Sequence, residues 1–497
     1  MALAPDVASS TDPQPIDEDG AGINAPGLQY FVFGLFFIFG GITSLNDVII
    51  PKLKELFTLN YTQAMLVQFC FFTAYLLIGI PGAKLVKKIG YMRGAVAGLC
   101  LMILGCLLFI PASQTATYAL FLGALFILAS GVVIVQVVAN PLISLLGPQK
   151  TAHSRLTFAQ AFNSLGTTIF PIVGAAVILG SLANVSADQL SGAELAAYRT
   201  AESEAIWQGY LGVAVLIALV ALAVWLFRNR LPHDAQSMGD NALVSSKRYN
   251  LGLALVIAGA VIASFVSGWL GLLFILAAPV IWLHDNDLLK RTRFGYGALC
   301  IFLYVGAEVS IGSIIINYLL QSEVMAQGGP FTAWLNGTIT YIFNDLLGFD
   351  VVLAPNAVEW MIGLYWGGAM LGRFIGSGLL RVFSPGKILA FNALGAITLI
   401  AISANTTGEV AGYTLLACGL MNSIMFPTIF SLACEKLGPR AADGSGIINV
   451  AIFGGAVVPL LFGVIADTSG SLAVALTLPA ICYAIIAGFG YYARRPA

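Results

Sequence analysis

Charge is scarce in this chain. Asp, Glu, Lys and Arg together make up 9% of its 497 residues, against roughly 25% in an ordinary soluble protein. So few charges cannot clothe a water-facing surface, and with 59% of the residues hydrophobic most of the chain has lipid as its solvent. Neither sign dominates: 23 Lys and Arg stand against 24 Asp and Glu, which leaves no basic field for a nucleic acid partner. Histidine is reduced to His153, His233 and His284, in or beside polar connections, and no metal cluster or His-based catalytic set can be built from them. The seven cysteines (Cys70, Cys100, Cys106, Cys300, Cys418, Cys434, Cys482) lie in or beside apolar runs without CxxC or paired spacing. They read as small core hydrophobes. These shortages exclude a soluble enzyme and predict no catalytic residue, metal or cofactor. Residues 1–27 lack Lys and Arg but carry Asp6, Asp12, Asp17, Glu18 and Asp19. A secretory leader needs a basic start and an apolar run, so this stretch is expected to remain as a disordered acidic tail.

Long apolar runs are abundant, and about 20 such residues make a helix that crosses a bilayer core. Spans 1–6 are expected near 29–51, 60–83, 92–111, 117–145, 156–181 and 207–227, and spans 7–12 near 296–320, 358–380, 387–404, 410–434, 444–466 and 472–492. Between the sets lies the uncharged run 251–283. As one helix it would reach about 50 Å, too long for the core. A single crossing would also invert every later loop. Gly268 can make a turn, which predicts helices 251–267 and 269–283, an inserted hairpin that brings the total to fourteen; a re-entrant or interfacial segment is the alternative. With the N-terminus in the cytoplasm, 20 of the 23 Lys and Arg residues fall in cytoplasmic segments, Arg373, Arg381 and Lys387 among them, and only Lys52, Lys54 and Arg199 lie outside. That bias predicts both termini inside. The outer connections 182–206 and 321–357 are then long, and Phe331 to Leu347 is amphipathic enough to lie on the outer surface as a short helix.

A repeat links the two sets of spans. The exit of span 2, GAKLVKKIGYMRG, spaces Gly82, Lys87 and Arg93 as the exit of span 8 spaces Gly376, Arg381 and Lys387. Gln136 stands five residues before Pro141 in span 4, and Asn422 five before Pro427 in span 10. A duplicated six-helix unit is the major facilitator architecture, with its site between the halves near the midplane. The expected fold is therefore an all-α polytopic membrane protein: tail 1–27, bundle 28–227, linker 228–295 containing the hairpin, bundle 296–492, tail 493–497.

A charge at mid-bilayer costs about 2.5–3.5 kcal/mol on insertion scales, so acids inside spans mark candidate sites. Asp47 in span 1 and Glu308 in span 7 qualify; Asp467 and Glu359 sit at span ends, where water reaches them. Desolvation disfavours the charged form of a carboxyl group, as a proton-coupled carrier requires. The competing reading of Asp47 is a structural acid bonded to helix ends. Uncharged polar groups form a second set: Gln136 and Asn140 on one face of span 4, Gln160 and Asn163 on span 5, Asn317 on span 7, Asn422 on span 10, Asn449 on span 11. Amides donate and accept without carrying charge, as sugar hydroxyls demand, and Trp366 can offer its face to a pyranose ring. Any single amide is equally well read as helix–helix glue.

The stretches LNDVIIPKLKELFTLNYTQ, ILASGVVIVQVVANP, RLTFAQAFNSLGTT, YVGAEVSIGS, YWGGAMLGRFIGS, MNSIMFPTIFSL and GGAVVPLLFGVIAD resemble the fucose–galactose–glucose proton symporters of the major facilitator group. Within that group the chain is most similar to bacterial glucose/galactose permeases. The resemblance implies an ion-coupled, by default proton-coupled, monosaccharide symporter importing glucose or galactose across a bacterial inner membrane. It implies a co-transported H+ or Na+ as the only small partner besides sugar and lipid, and a monomer. Asp47 matches the acid tied in fucose permease to recognition and coupling. Where that permease has Glu in span 4 this chain has Gln136, and where it has Gln in span 7 this chain has Glu308, so the second acid has changed halves. Asp47 and Glu308 are the expected coupling residues; Gln136, Asn140, Gln160, Asn163, Glu308, Asn317, Trp366 and Asn422 are the expected sugar contacts. Another hexose or N-acetylglucosamine, sodium coupling, an uncoupled facilitator and a transporter-like sugar sensor stand as alternatives.

Overall fold

Inside hydrocarbon each segment must satisfy its own backbone N–H and C=O groups, so long apolar runs become helices. The computed structural model describes residues 26–146, 152–174, 191–226, 228, 250–256, 258–259, 268–283, 287–321, 323–346, 353–380, 382–435 and 441–494. Spans 1–6 are Pro26–Leu56, Tyr61–Ala64 continued by Leu66–Ile89, Tyr91–Gln114, Tyr118–Leu145, Ala152–Gly174 and Gly192–Leu226. Spans 7–12 are Thr292–Leu319, Ile362–Leu379, Pro385–Ala404, Gly408–Asn422 with Met425–Ala433, Ala441–Ala451 with Gly454–Ser469, and Leu472–Ala475 with Thr477–Tyr492. Among the described residues ten helices are long and apolar enough to cross a membrane. Spans 5 and 8 complete the twelve as helices outside that set.

Three expectations change. Span 6 starts at Gly192 and runs 35 residues, about 52 Å at 1.5 Å per residue, so the second half of the predicted loop 182–206 is helix. Arg373 does not lie in a connection: it sits inside span 8, six residues before its end. Lys52, expected at the outer surface, is 2% exposed. The predicted surface helix forms as Pro330–Tyr341, prolonged by Ile342–Leu346. Glu409 holds its start, accepting from the Thr332 N–H (2.6 Å) and hydroxyl (2.7 Å). Of the central hairpin, 250–256 and 258–259 are helical and the second arm is Gly268–Leu283. Gly252 meets the Trp282 indole so closely that a Cβ there would lie 2.1 Å from Nε1, which packs the arms antiparallel. Gly268, where the turn is expected, is instead the first residue of the second arm, and Pro26 and Gly27 of the expected tail already belong to span 1; residues 260–267 and 1–25 lie outside the described residues.

Packing repeats with a shift of six spans. Span pairs 1–5, 3–4, 3–6 and 2–4 pack closely, and so do 7–11, 9–10, 9–12 and 8–10. Between the two sets, span 2 meets span 11, span 5 meets span 8, and span 1 meets span 7. Both lateral seams are shut at the predicted outer face. Span 2 opens with a capping box in which Asn60 accepts from the Gln63 N–H and Gln63 from the Asn60 N–H. Its next N–H groups, on Tyr61 and Thr62, donate to the Asp467 carboxylate at the end of span 11, both at 2.8 Å. A helix start presents unsatisfied donors and positive potential, and here the opposite half supplies the anion. Gly463 allows the contact, since a Cβ there would come within 2.8 Å of the Thr62 Cα. In the other seam Gly363 faces Ile172 and Gly367 faces Thr168.

Candidate substrate and coupling site

Asp47 lies in the outer half of span 1, four residues before Pro51, which has no N–H to return to the Asp47 carbonyl. Its side chain is 3% exposed and is met from three helices. Gln68 Nε2 of span 2 donates to Oδ1 at 3.0 Å, the Ser313 hydroxyl of span 7 to Oδ1 at 3.3 Å, and the Trp366 indole N–H of span 8 to Oδ2 at 3.1 Å. Gln68 also donates to Ser313 Oγ at 2.8 Å. Two of the donors come from the half that Asp47 does not belong to. Charge-assisted bonds of this kind are stronger than neutral ones, so the Asp47 carboxylate ties the halves together.

Glu308, on span 7, is half-buried. The Tyr304 hydroxyl, one turn away, donates to its Oε1 at 2.7 Å and also contacts the Asn422 carbonyl at 2.9 Å. The Tyr365 hydroxyl donates to the Glu308 carbonyl at 3.0 Å and accepts from Asn422 Nδ2 at 2.8 Å. Span 10 breaks after Asn422 because Pro427 denies the Ser423 carbonyl its helical donor. Arg373 fills the gap, donating from Nε to that carbonyl at 3.1 Å.

The remaining predicted residues divide. Gln136 contacts the Tyr75 hydroxyl, as Thr43 does. Asn163 donates to the Phe36 carbonyl at 3.4 Å and packs against Gly40, which makes it a brace between spans 1 and 5 in this state. Gln160 is half-buried, and its carbonyl receives Arg373. Asn317 keeps its Oδ1 buried without a partner. Asn140 lies in span 4, with its side chain outside what is described. Asn449 is exposed on span 11. Trp366 gives its N–H to Asp47 and sets its ring edge-to-face on Tyr365.

Sequence reasoning missed Asn46, Gln68, Tyr304, Ser313, Tyr365 and Arg373. Asn46 (0% exposed) has neither amide atom partnered, and Gln68 Oε1 is likewise alone. Buried polar groups are nearly always hydrogen-bonded, so unpaired amide atoms on Asn46, next to Asp47 in the chain, and on Gln68, bonded to Asp47, suit a polar ligand rich in hydroxyls. Gln68 carried a signal, an amide alone in the apolar run MLVQFC.

Two matched bundles closing around a mid-membrane polar site define a membrane carrier. A family model, the Major Facilitator Superfamily, matches residues 32–459. The chain is 42% identical to the glucose/galactose transporter of Brucella abortus over 92% of this chain and 91% of that one. It is 31% identical to the L-fucose-proton symporter of Escherichia coli, with 93% and 92% covered. Among solved structures it is similar to FucP, a Major Facilitator Superfamily transporter in the outward conformation (TM-score 0.61, 30% identity, 95% and 99% covered). The chain belongs to the Major Facilitator Superfamily.

Proposed function

We propose that this protein is a proton-coupled monosaccharide symporter that imports glucose or galactose by alternating access, in a bacterial inner membrane with both termini cytoplasmic. The relatives that cover nearly the whole chain carry those sugars by name, and the fucose relative is a proton symporter by name. The observation that carries coupling is the Asp47 junction, where one carboxylate is served by donors of both halves. Protonation removes the charge those donors stabilise and slackens the tie between the halves. The Trp366 indole nitrogen can only donate, and it points at Asp47; a sodium ion there would face that N–H, whereas a proton needs no oxygen cage. Sugar contacts are assigned to Glu308, Asn422, Gln160, Asn317, Gln136, Asn140, Asn163 and the Trp366 ring. The closed outer seams support an inward-facing state, and the moderate TM-score to the outward FucP structure accords with that.

Proteoliposomes loaded with purified protein test the reading. An inward proton gradient should concentrate glucose or galactose inside the vesicle. Equilibration without accumulation would reduce the protein to a facilitator, and accumulation only with sodium would replace the ion.

A further inference from the structure

Arg373 plays no part in the function proposed above. The orientation bias set it in a loop, yet its guanidinium reaches two halves at once. Nε holds the Ser423 carbonyl of span 10, while Nη1 donates to Ser164 Oγ and, at 3.3 Å, to the Gln160 carbonyl of span 5. Ser164 is 1% exposed, and its own proton goes to Gln160 O at 3.0 Å, so its oxygen is oriented to accept. Along the 5–8 seam the pairs run Gly363 with Ile172, Gly367 with Thr168, then Arg373 with Ser164 and Gln160. Arg373 is thus a polar fastening at the deep end of a seam in which the Gly363–Ile172 and Gly367–Thr168 contacts are apolar.

The same guanidinium lies within electrostatic reach of Glu308 and of the Tyr304 hydroxyl. Among the described residues the other titratable groups around Glu308 are Tyr304 on its own helix, Tyr365 on span 8, Tyr483 on span 12 and Asp47 on span 1. Every one is an acid or a phenol, so Arg373 is the cation of this group. Neutral oxygens on span 5 hold it now. A charged carboxylate is the stronger acceptor, by about a factor of two in bond strength.

We propose that Arg373 is a positioning residue that alternates between span 5 and Glu308, so that the state of Glu308 decides whether the 5–8 seam is fastened. When Glu308 is protonated or engaged by sugar, the guanidinium stays on Ser164 and Gln160 and the outer seam is shut. A bare Glu308 carboxylate draws the guanidinium away, span 5 loses its fastening, and the outer face opens. The inference rests on the symporter reading for what occupies Glu308, and the experiment separates the two.

Hydrogen–deuterium exchange of the full-length protein in lipid nanodiscs, corrected for intrinsic rates, follows the outer-seam peptides 61–65 and 167–174 at low and high pH. With Asp47→Asn as the common background, which removes the opposite pH response of the Asp47 junction, the seam should exchange faster at high pH. Ser164→Ala, a small change that removes the hydroxyl acceptor and leaves the 3.3 Å bond to the Gln160 carbonyl, should raise seam exchange at low pH about fivefold and shrink the pH difference. Glu308→Gln should do the opposite, holding the seam slow at both pH values. Arg373→Gln should resemble Ser164→Ala, and Arg373→Lys should recover part of the pH response. Sugar counterflow by Ser164→Ala should keep its maximal rate within about threefold while its pH profile flattens. A folded Ser164→Ala with unchanged exchange and pH profile overturns the proposal, as does a fast seam in Glu308→Gln. Loss of counterflow in wild type would instead strike the symporter reading and leave the exchange result standing.

Discussion

Asp47 and Glu308 are both acids inside membrane-spanning helices, and their surroundings differ. Asp47 is nearly sealed, with donors from spans 2, 7 and 8 converging on it. Glu308 is half-buried, bonded to a tyrosine of its own helix, with Arg373 near but committed elsewhere. An acid held from both sides makes its charge a property of the interface: gaining a proton changes how the halves fit. An acid held by its own helix can exchange partners, sugar or the Arg373 guanidinium, while its own helix stays in place, which suits ligand recognition. On the proposed reading the contrast divides coupling and recognition between the halves, although each residue alone would be read as a buried carboxylate.

The largest effect that tests this division is that of Asp47→Asn. Gradient-driven sugar accumulation in proteoliposomes should collapse to an inside-to-outside ratio of about one, while counterflow exchange continues. Persisting accumulation would end the distinction between the two acids. Glu308→Gln should instead raise the KM of counterflow about tenfold, the scale of one hydrogen bond to a charged group, and slow its maximal rate because the 5–8 seam stays fastened, while the uptake that remains is still driven by the gradient. If it abolished accumulation with KM unchanged, the roles would be reversed. Trp366→Phe keeps an aromatic face and deletes the N–H aimed at Asp47, so gradient-driven uptake should fall about three- to tenfold with a smaller change in KM. Asp467→Ala touches neither acid. Loss of this cap across the seam should raise hydrogen exchange at 61–65 about threefold with transport rates close to wild type, which separates seam closure from chemistry.

Much of this was legible in the residues. Apolar run length gave the twelve spans, and the unusual 251–283 run announced an extra element whose two arms pack through Gly252 and Trp282. Asp47 and Glu308 stood out because hydrocarbon tolerates charge poorly. Their partners did not, because Ser313 and Trp366 are 266 and 319 residues from Asp47, and local pattern carries no information over such separations. Arg373 was misplaced for a definite reason: it was counted with Arg381 and Lys387 of the exit that follows, although the expected span 358–380 already contained it, and the helix does run to Leu379. The long helix at Gly192 was hidden by its charges, Glu194, Arg199, Glu202 and Glu204, which suggest a loop when a helix is imagined to end with the membrane. Asn163 shows the limit of residue type, since an amide that suits a sugar also suits the Phe36 carbonyl.

The break in span 10 has a practical consequence. The oxygen that anchors Arg373 within its own half belongs to the main chain of Ser423, and it is free because of the imino acid at position 427. Scanning the cavity with alanine would change every functional side chain and still leave this acceptor in place. The substitution that acts on it is Pro427→Ala, which supplies a main-chain N–H to compete with the guanidinium for that oxygen.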